Sequence, residues 1–182
     1  MRDLTEKTLA VRRVFDGRAL TVDVLDIELP GGRKSVREVI RHRGAAVILG
    51  RRPDGRFVLI RQYRKAVEEA LLEFVAGCLE PSETPEQGAR REMEEETGYV
   101  PRRLVKLGMI VSSPGYSEEH LFLYLGELDA APRAPRPDFD ENLEVLEMTA
   151  GEIDGAIASG ELHDAKSICA WYHYKRLFPE AR

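Results

Sequence analysis

Apolar positions along the first 64 residues recur with a strand-like spacing. The stretches "TLAVRRVFD" (8–16), "ALTVDVLDIEL" (19–29) and "SVREVIRH" (35–42) are rich in β-branched residues and partly alternate, and "PGGRK" (30–34) is a turn between the last two. Within the long second stretch the apolar phase changes from Leu20, Val22, Val24 to Leu25, Ile27, Leu29. That change predicts a bulge, or a strand that leaves one sheet for another surface. "GAAVILG" (44–50), the turn "RPDGR" and "FVLIRQYR" (57–64) predict a hairpin. Further strands are expected over "LVKLGMIVS" (104–112), "HLFLYLGEL" (120–128) and "LEVLEMT" (143–149), with a long Pro- and Ala-rich loop over 129–142. The helices "AGEIDGAIASG" and "DAKSICAWYHYKRLF" close the chain. A mixed sheet interrupted by helices makes this an α+β protein.

One helix carries its own punctuation. Thr84 is an N-cap, Pro85 suits the first helical position, Gln87 completes a capping box and Gly98 fits the stop, so a helix is expected from Pro85 to Thr97. Within it Glu92, Glu95 and Glu96 stand at i, i+3 and i+4, on one face, while Glu94 points elsewhere. Each like-charge pair at that spacing costs about 0.2–0.5 kcal/mol, and acidic residues late in a helix oppose its dipole. Taken alone, the cluster fits a solvated face neutralised by Arg90 and Arg91. The other reading is a site for a hard divalent cation, which prefers carboxylate and carbonyl oxygen.

Composition narrows the partners. The 182 residues are 43% apolar and 32% charged, as in a soluble globular protein, and the formal net charge is -5. That balance argues against nucleic acid or an anionic membrane as a partner held by bulk charge. Charges are mixed through the first 25 residues and no apolar run is long enough to span a bilayer, so a cytoplasmic protein is expected. Cys78 and Cys169 have no paired spacing and are expected to be buried structural thiols.

Spacing decides between the two readings of the acidic helix. Five residues separate Gly77 from Glu83, seven more lead to Arg91-Glu92, and Met93, Glu94, Glu95-Glu96, Thr97, Gly98 and Tyr99 follow. This resembles the Nudix box, G-x5-E-x7-R-E-U-x-E-E-x-G-U with U apolar, at every specified position. The resemblance implies an α/β/α sandwich around a mixed sheet and hydrolysis of a nucleoside diphosphate linked to another group. It implies Mg2+, or Mn2+, held by Glu92, Glu95, Glu96 and the carbonyl of Ala76, with Glu95 also catalytic. Arg91, Glu83, Gly77 and Gly98 take structural roles in the motif.

Residues outside the box resemble the subgroup acting on ADP-ribose and other nucleotide sugars: "RQYR" (61–64), "LLEFVAG" (71–77) and Pro114, sixteen residues after Gly98. The subgroup's Pro-Ala-Gly is Val75-Ala76-Gly77 here. The likeness implies a diphosphate contact for Arg64, a ribose or metal-shell role for Glu73, and a sugar pocket lined by Pro114, Ser117 and Glu118. "RPDFDENLEV" resembles the loop that supplies the general base, with Glu141 the first candidate and Asp140 and Glu144 behind it. His163 and Lys166, in "GELHDAKS", are read as structural or surface residues. Residues 1–43 are expected to form a β lobe exchanged in a homodimer, and 44–182 the hydrolase domain. Alternatives are another nucleotide sugar such as a GDP-hexose, an oxidised nucleoside triphosphate, or a module that binds a nucleotide sugar without cleaving it.

Overall fold

The computed structural model describes residues 3–134 and 142–179. Asp140 and Glu141 lie outside the described residues. The chain forms two compact units, one of residues up to Gly44 together with Val111–His120, the other of Ala45–Ile110 and Leu121 onward.

The first unit is built on three antiparallel strands in the order β1 (Lys7–Asp16), β2 (Thr21–Glu28), β3 (Lys34–Arg41). Gly31 and Gly32 have φ of 95° and 83° in the β2–β3 turn, a conformation that costs a residue with a β-carbon. The bulge expected in β2 is absent, because β2 pairs with β3 in unbroken register from Thr21↔Arg41 to Glu28↔Lys34. The irregularities are in β1, which carries extra residues between Thr8 and Ala10 and between Arg13 and Phe15. The apparent phase change has a different cause. Asp23 is buried on the same face as Ile27, so an inward position is filled by a carboxylate instead of an apolar side chain. Arg13 Nε and Arg41 Nε compensate it at 2.9 and 2.8 Å.

The segment 111–120 pairs with the end of β3, where Ile40 N–H donates to the Tyr116 carbonyl at 2.7 Å and Glu118 N–H donates to the Ile40 carbonyl at 3.1 Å. β1 is exposed along its whole length, leaving Leu9, Val11, Val14 and Phe15 open to solvent.

The second unit is a mixed sheet with helices on both faces. Its strands are β4 (Ala45–Arg51), β5 (Phe57–Arg64), β6 (Glu69–Glu73), β7 (Val75–Cys78), β8 (Pro101–Val111), β9 (His120–Leu128) and β10 (Leu143–Met148). The order is β10-β5-β4-β9-β8, with β6 on β5 and β7 on β4, and the β4–β9 pair is parallel. The run "AAVIL" is continuously apolar because β4 is covered on both faces. Val47 and Leu49, with Phe57 and Leu59 of β5, join a core with Ile153 of α2 (Ala150–Ser159) and Ala170, Trp171 and Tyr174 of α3 (Ala165–Leu177). Ala46, Ile48, Val58 and Ile60 point the other way, to Ala89 and Met93 of α1 (Pro85–Thr97). The alternation along two central strands therefore sets up an α/β/α sandwich.

Gly50 sits where a β-carbon would strike Met93 and Leu128, so the close approach of α1 to β4 depends on a missing side chain. Cys169 is half-buried, but Cys78, expected inside, is exposed on β7, a short strand paired with β4. Among the described residues no helix is long and apolar enough to cross a membrane.

Candidate active site

Local sequence places α1. The Thr84 hydroxyl accepts from Gln87 N–H and the Gln87 side chain accepts from Thr84 N–H, a reciprocal cap that satisfies the helix start. Gly98 ends the helix at φ 74°, with its N–H donating to the Glu94 carbonyl. Helical spacing gives Glu92, Glu95 and Glu96 one face of α1. Glu94 faces away and accepts from Arg133 Nη1 at 2.9 Å.

Arg91 organises this face. Its Nε and Nη2 donate to the two oxygens of Glu83 at 2.9 Å each, Nη1 donates to Glu92 at 2.7 Å and to Glu95 at 3.0 Å, and Nη2 also reaches the Cys78 carbonyl at 3.0 Å. One guanidinium therefore joins the loop, β7 and three carboxylates. Paired most strongly with Glu83, its own pKa is raised, while the Glu83 carboxyl is held below the usual range, chiefly by Arg91. Arg90 takes no part; it reaches Glu86 at 3.9 Å and the Pro101 carbonyl.

Gly77 follows Ala76 on β7, directly under Glu92. A β-carbon there would overlap the Glu92 carboxylate, so this glycine leaves room for the acid group against the strand backbone. Glu92 and Glu96 are buried, whereas the Glu95 side chain is 44% exposed. Carboxylates beside a strand carbonyl make an all-oxygen donor set, which suits Mg2+ or Mn2+. Among the described residues no three acidic, histidine or cysteine side chains converge into a ready-made cage, since Arg91 bridges Glu92 and Glu95.

The neighbouring group starts from Arg64, the last residue of β5, and Glu73, the last of β6. Arg64 Nε and Nη2 meet the two oxygens of Glu73 at 2.7 and 2.6 Å. Glu73 is completely buried, yet its pKa is lowered: desolvation pushes it up, and Arg64 and Lys166 more than reverse that. Arg64 is raised first by Glu73, and the charge of Glu96 also raises it. Lys166 was read from sequence as structural or surface; its Nζ is 2.5 Å from Glu73 Oε2 and 3.0 Å from Asp164 Oδ2. The available signal was a cation in the first turn of a helix, where the dipole disfavours it.

Pro114, Ser117 and Glu118 belong to the first unit, where they line a groove with Thr8, Leu25, Ile27 and Val39. Both Glu118 oxygens are engaged, one by His42 N–H at 2.8 Å and the other by Arg41 Nη1 at 3.0 Å. Glu144 is exposed on β10, opposite Arg61 of β5.

An acidic helical face, and an arginine held by a buried carboxylate, suit a metal-assisted hydrolase of phosphoric anhydrides. The NUDIX domain matches residues 40–174, and the chain belongs to the Nudix family. It is 38% identical over 171 residues to the ADP-ribose pyrophosphatase of Bacillus subtilis (strain 168), covering 93% of this chain and 92% of that one. The methanol dehydrogenase activator of Bacillus methanolicus is 36% identical over 166 residues, covering 91% and 90%. A crystal structure of an ADP compounds hydrolase superimposes with a TM-score of 0.84 at 22% identity, over 99% of this chain and 98% of that chain, a likeness of fold.

Proposed function

We propose that this protein is a divalent-metal-dependent pyrophosphohydrolase that cleaves ADP-ribose into AMP and ribose 5-phosphate, with other nucleotide sugars as secondary substrates. The observation that carries this reading is the intact box folded as a unit, with Arg91 joining Glu83 of the loop to Glu92 and Glu95 of α1. The similarity to an ADP-ribose pyrophosphatase over nearly the whole chain supports the choice of substrate.

Glu92, Glu95, Glu96 and the Ala76 carbonyl would hold Mg2+, with Mn2+ an acceptable substitute. An ion held by these residues would supply neutralisation of diphosphate charge, polarisation of the phosphoryl oxygens and acidification of a water. The residues of the chain do the rest. Arg64 binds a phosphoryl oxygen, which offsets repulsion between the diphosphate and the carboxylates, about 4 kcal/mol per uncompensated pair near 4 Å at an effective dielectric of about 20. Glu141 takes the proton of the attacking water as its oxygen bonds to phosphorus and the anhydride P–O bond breaks. Ser117 and Glu118 contribute to sugar recognition.

The same reading takes residues 1–43 as a lobe exchanged between two copies in a cytoplasmic homodimer that binds neither nucleic acid nor membrane. The exposed apolar residues of β1 support that assembly. A monomeric mass by light scattering at micromolar concentration would rule it out. The activity is tested by a hydrolysis panel with Mg2+ and with EDTA, offering ADP-ribose, ADP-glucose, GDP-mannose and 8-oxo-dGTP. Metal-dependent AMP release from ADP-ribose is expected, and failure to cleave any diphosphate would overturn the reading.

A further inference from the structure

The segment between α2 and α3 lies along the β5–β6 ribbon. Arg61 Nη2 is 2.8 Å from Glu161, His163 Nε2 is 3.6 Å from Glu69, and Lys166 Nζ is 2.5 Å from Glu73. The first two contacts are exposed and contribute little. The third is different in kind. The Glu73 carboxylate is 1% exposed and the Lys166 side chain 17%, so the pair is shielded from water and its geometry is constrained.

Glu73 Oε2 is shared: it accepts from Lys166 Nζ at 2.5 Å and from Arg64 Nη2 at 2.6 Å. The backbone next to Glu73 is tied to the same helix start, because Phe74 N–H donates to Ser167 Oγ at 2.8 Å. Ser167 is fixed in turn by the N-cap Asp164, whose Oδ2 accepts from Ser167 N–H and Oγ at 3.0 and 2.6 Å. The first turn of α3 therefore sets both the main chain and the carboxylate at the end of β6. Lysine in that turn opposes the helix macrodipole. A residue that breaks a local preference while completing a buried network is expected where positioning matters.

The beneficiary is Arg64. Glu73 takes its Nε and Nη2 edge, and among the described residues Nη1 donates to no acceptor. A bidentate carboxylate orients a guanidinium in its plane, but a carboxylate fixes the plane only if it is itself fixed. Lys166 supplies that second constraint from the side opposite Arg64 in sequence, 93 residues away from Glu73.

We propose that Lys166 is a positioning residue: through the shared oxygen of Glu73 it holds the Arg64 guanidinium so that Nη1 is left for a phosphoryl oxygen of the substrate. Lys166 itself touches neither substrate nor metal. This rests on the reading of Arg64 as the diphosphate contact.

The test is a double-mutant cycle on the full-length chain. Binding of α,β-methylene ADP-ribose is titrated calorimetrically in EDTA, and ADP-ribose hydrolysis is followed with Mg2+. Lys166→Met is expected to weaken analogue binding and raise KM about tenfold with kcat changed less than about threefold, and Lys166→Arg to recover most of the loss. In an Arg64→Ala background Lys166→Met is expected to have less than about a twofold further effect, because the group it positions is gone. Unchanged analogue binding in Lys166→Met, or the same loss in both backgrounds, would overturn the proposal. Should Lys166→Met fail to fold, Lys166→Gln, which keeps a donor without the charge, enters the cycle in its place. Analogue binding by a wild type that hydrolyses no diphosphate would defeat the functional reading while the cycle still decides the role of Lys166.

Discussion

Arg91 meets Glu83 through two parallel hydrogen bonds, Nε to Oε1 and Nη2 to Oε2, both 2.9 Å long. The same guanidinium also spans Glu92 and Glu95, so removing it leaves three carboxylates without their common cation. Arg91→Ala is expected to destabilise the protein by about 2–4 kcal/mol, somewhat below the about 3–5 kcal/mol for breaking a fully buried ion pair because Arg91 is partly exposed, read as a lower urea midpoint at unchanged slope. Arg91→Lys should recover little, since an ammonium cannot form the paired bonds.

Gly77 leaves room for Glu92, which makes its substitution a test of carboxylate placement. Gly77→Ala is expected to push Glu92 off the strand and to reduce kcat/KM by about 10²-fold, as misplacement of a reacting group by about 1 Å does. Unaltered kinetics with a folded Gly77→Ala protein would show that the position of Glu92 does not matter.

Metal binding has a readout independent of turnover. Mg2+ that binds the folded chain raises its melting temperature by mass action. That rise is expected in the wild type and expected to vanish in Glu96→Gln and Glu95→Gln, together with a fall in turnover of at least about 10²-fold. In EDTA, Glu95→Gln should melt near the wild type, because relief of like-charge repulsion is worth only about 0.2–0.5 kcal/mol.

The proposed general base, Glu141, lies outside the described residues. Glu141→Gln is expected to lower kcat by about 10²–10⁴-fold with little change in KM. Equal losses in Asp140→Asn or Glu144→Gln, with Glu141→Gln active, would move the base to that neighbour.

Acid should loosen the first unit through Asp23. Hydrogen bonds from Arg13 and then Arg41 hold its pKa at about 2, below the ordinary 3.8. A carboxyl depressed on folding contributes stability above its unfolded pKa and loses it as pH falls through the folded one. The stability advantage of wild type over Asp23→Asn should therefore be full at pH 6 and shrink between about pH 4 and pH 2. Urea unfolding across that range checks it; an advantage that does not change with pH would mean that folding does not depress the Asp23 pKa.

Legibility tracks the range of the interactions involved. The helix Pro85–Thr97, its caps and its acidic face could be read from residues within four positions of one another. The covering of β4 on both faces was implicit in a continuous apolar run. The phase change in β2 misled because pattern reading treats an inward position as apolar, whereas Asp23 fills one with the help of arginines on both neighbouring strands. Exposure of Cys78 was likewise not a property of its residue type.

By itself, then, the sequence determined most of the element types, the short strands β6 and β7 excepted, together with the acidic face and the family to which the chain belongs, since these rest on local spacing. Only the tertiary structure decided that Glu92 lies over Gly77, that Glu73 is wholly buried between Arg64 and Lys166, and that one arginine binds the loop to the helix. Those relations join residues 8 to 93 positions apart in a low-dielectric interior, where partner and distance follow from how the sheet and helices stack, and no periodicity along the chain encodes that.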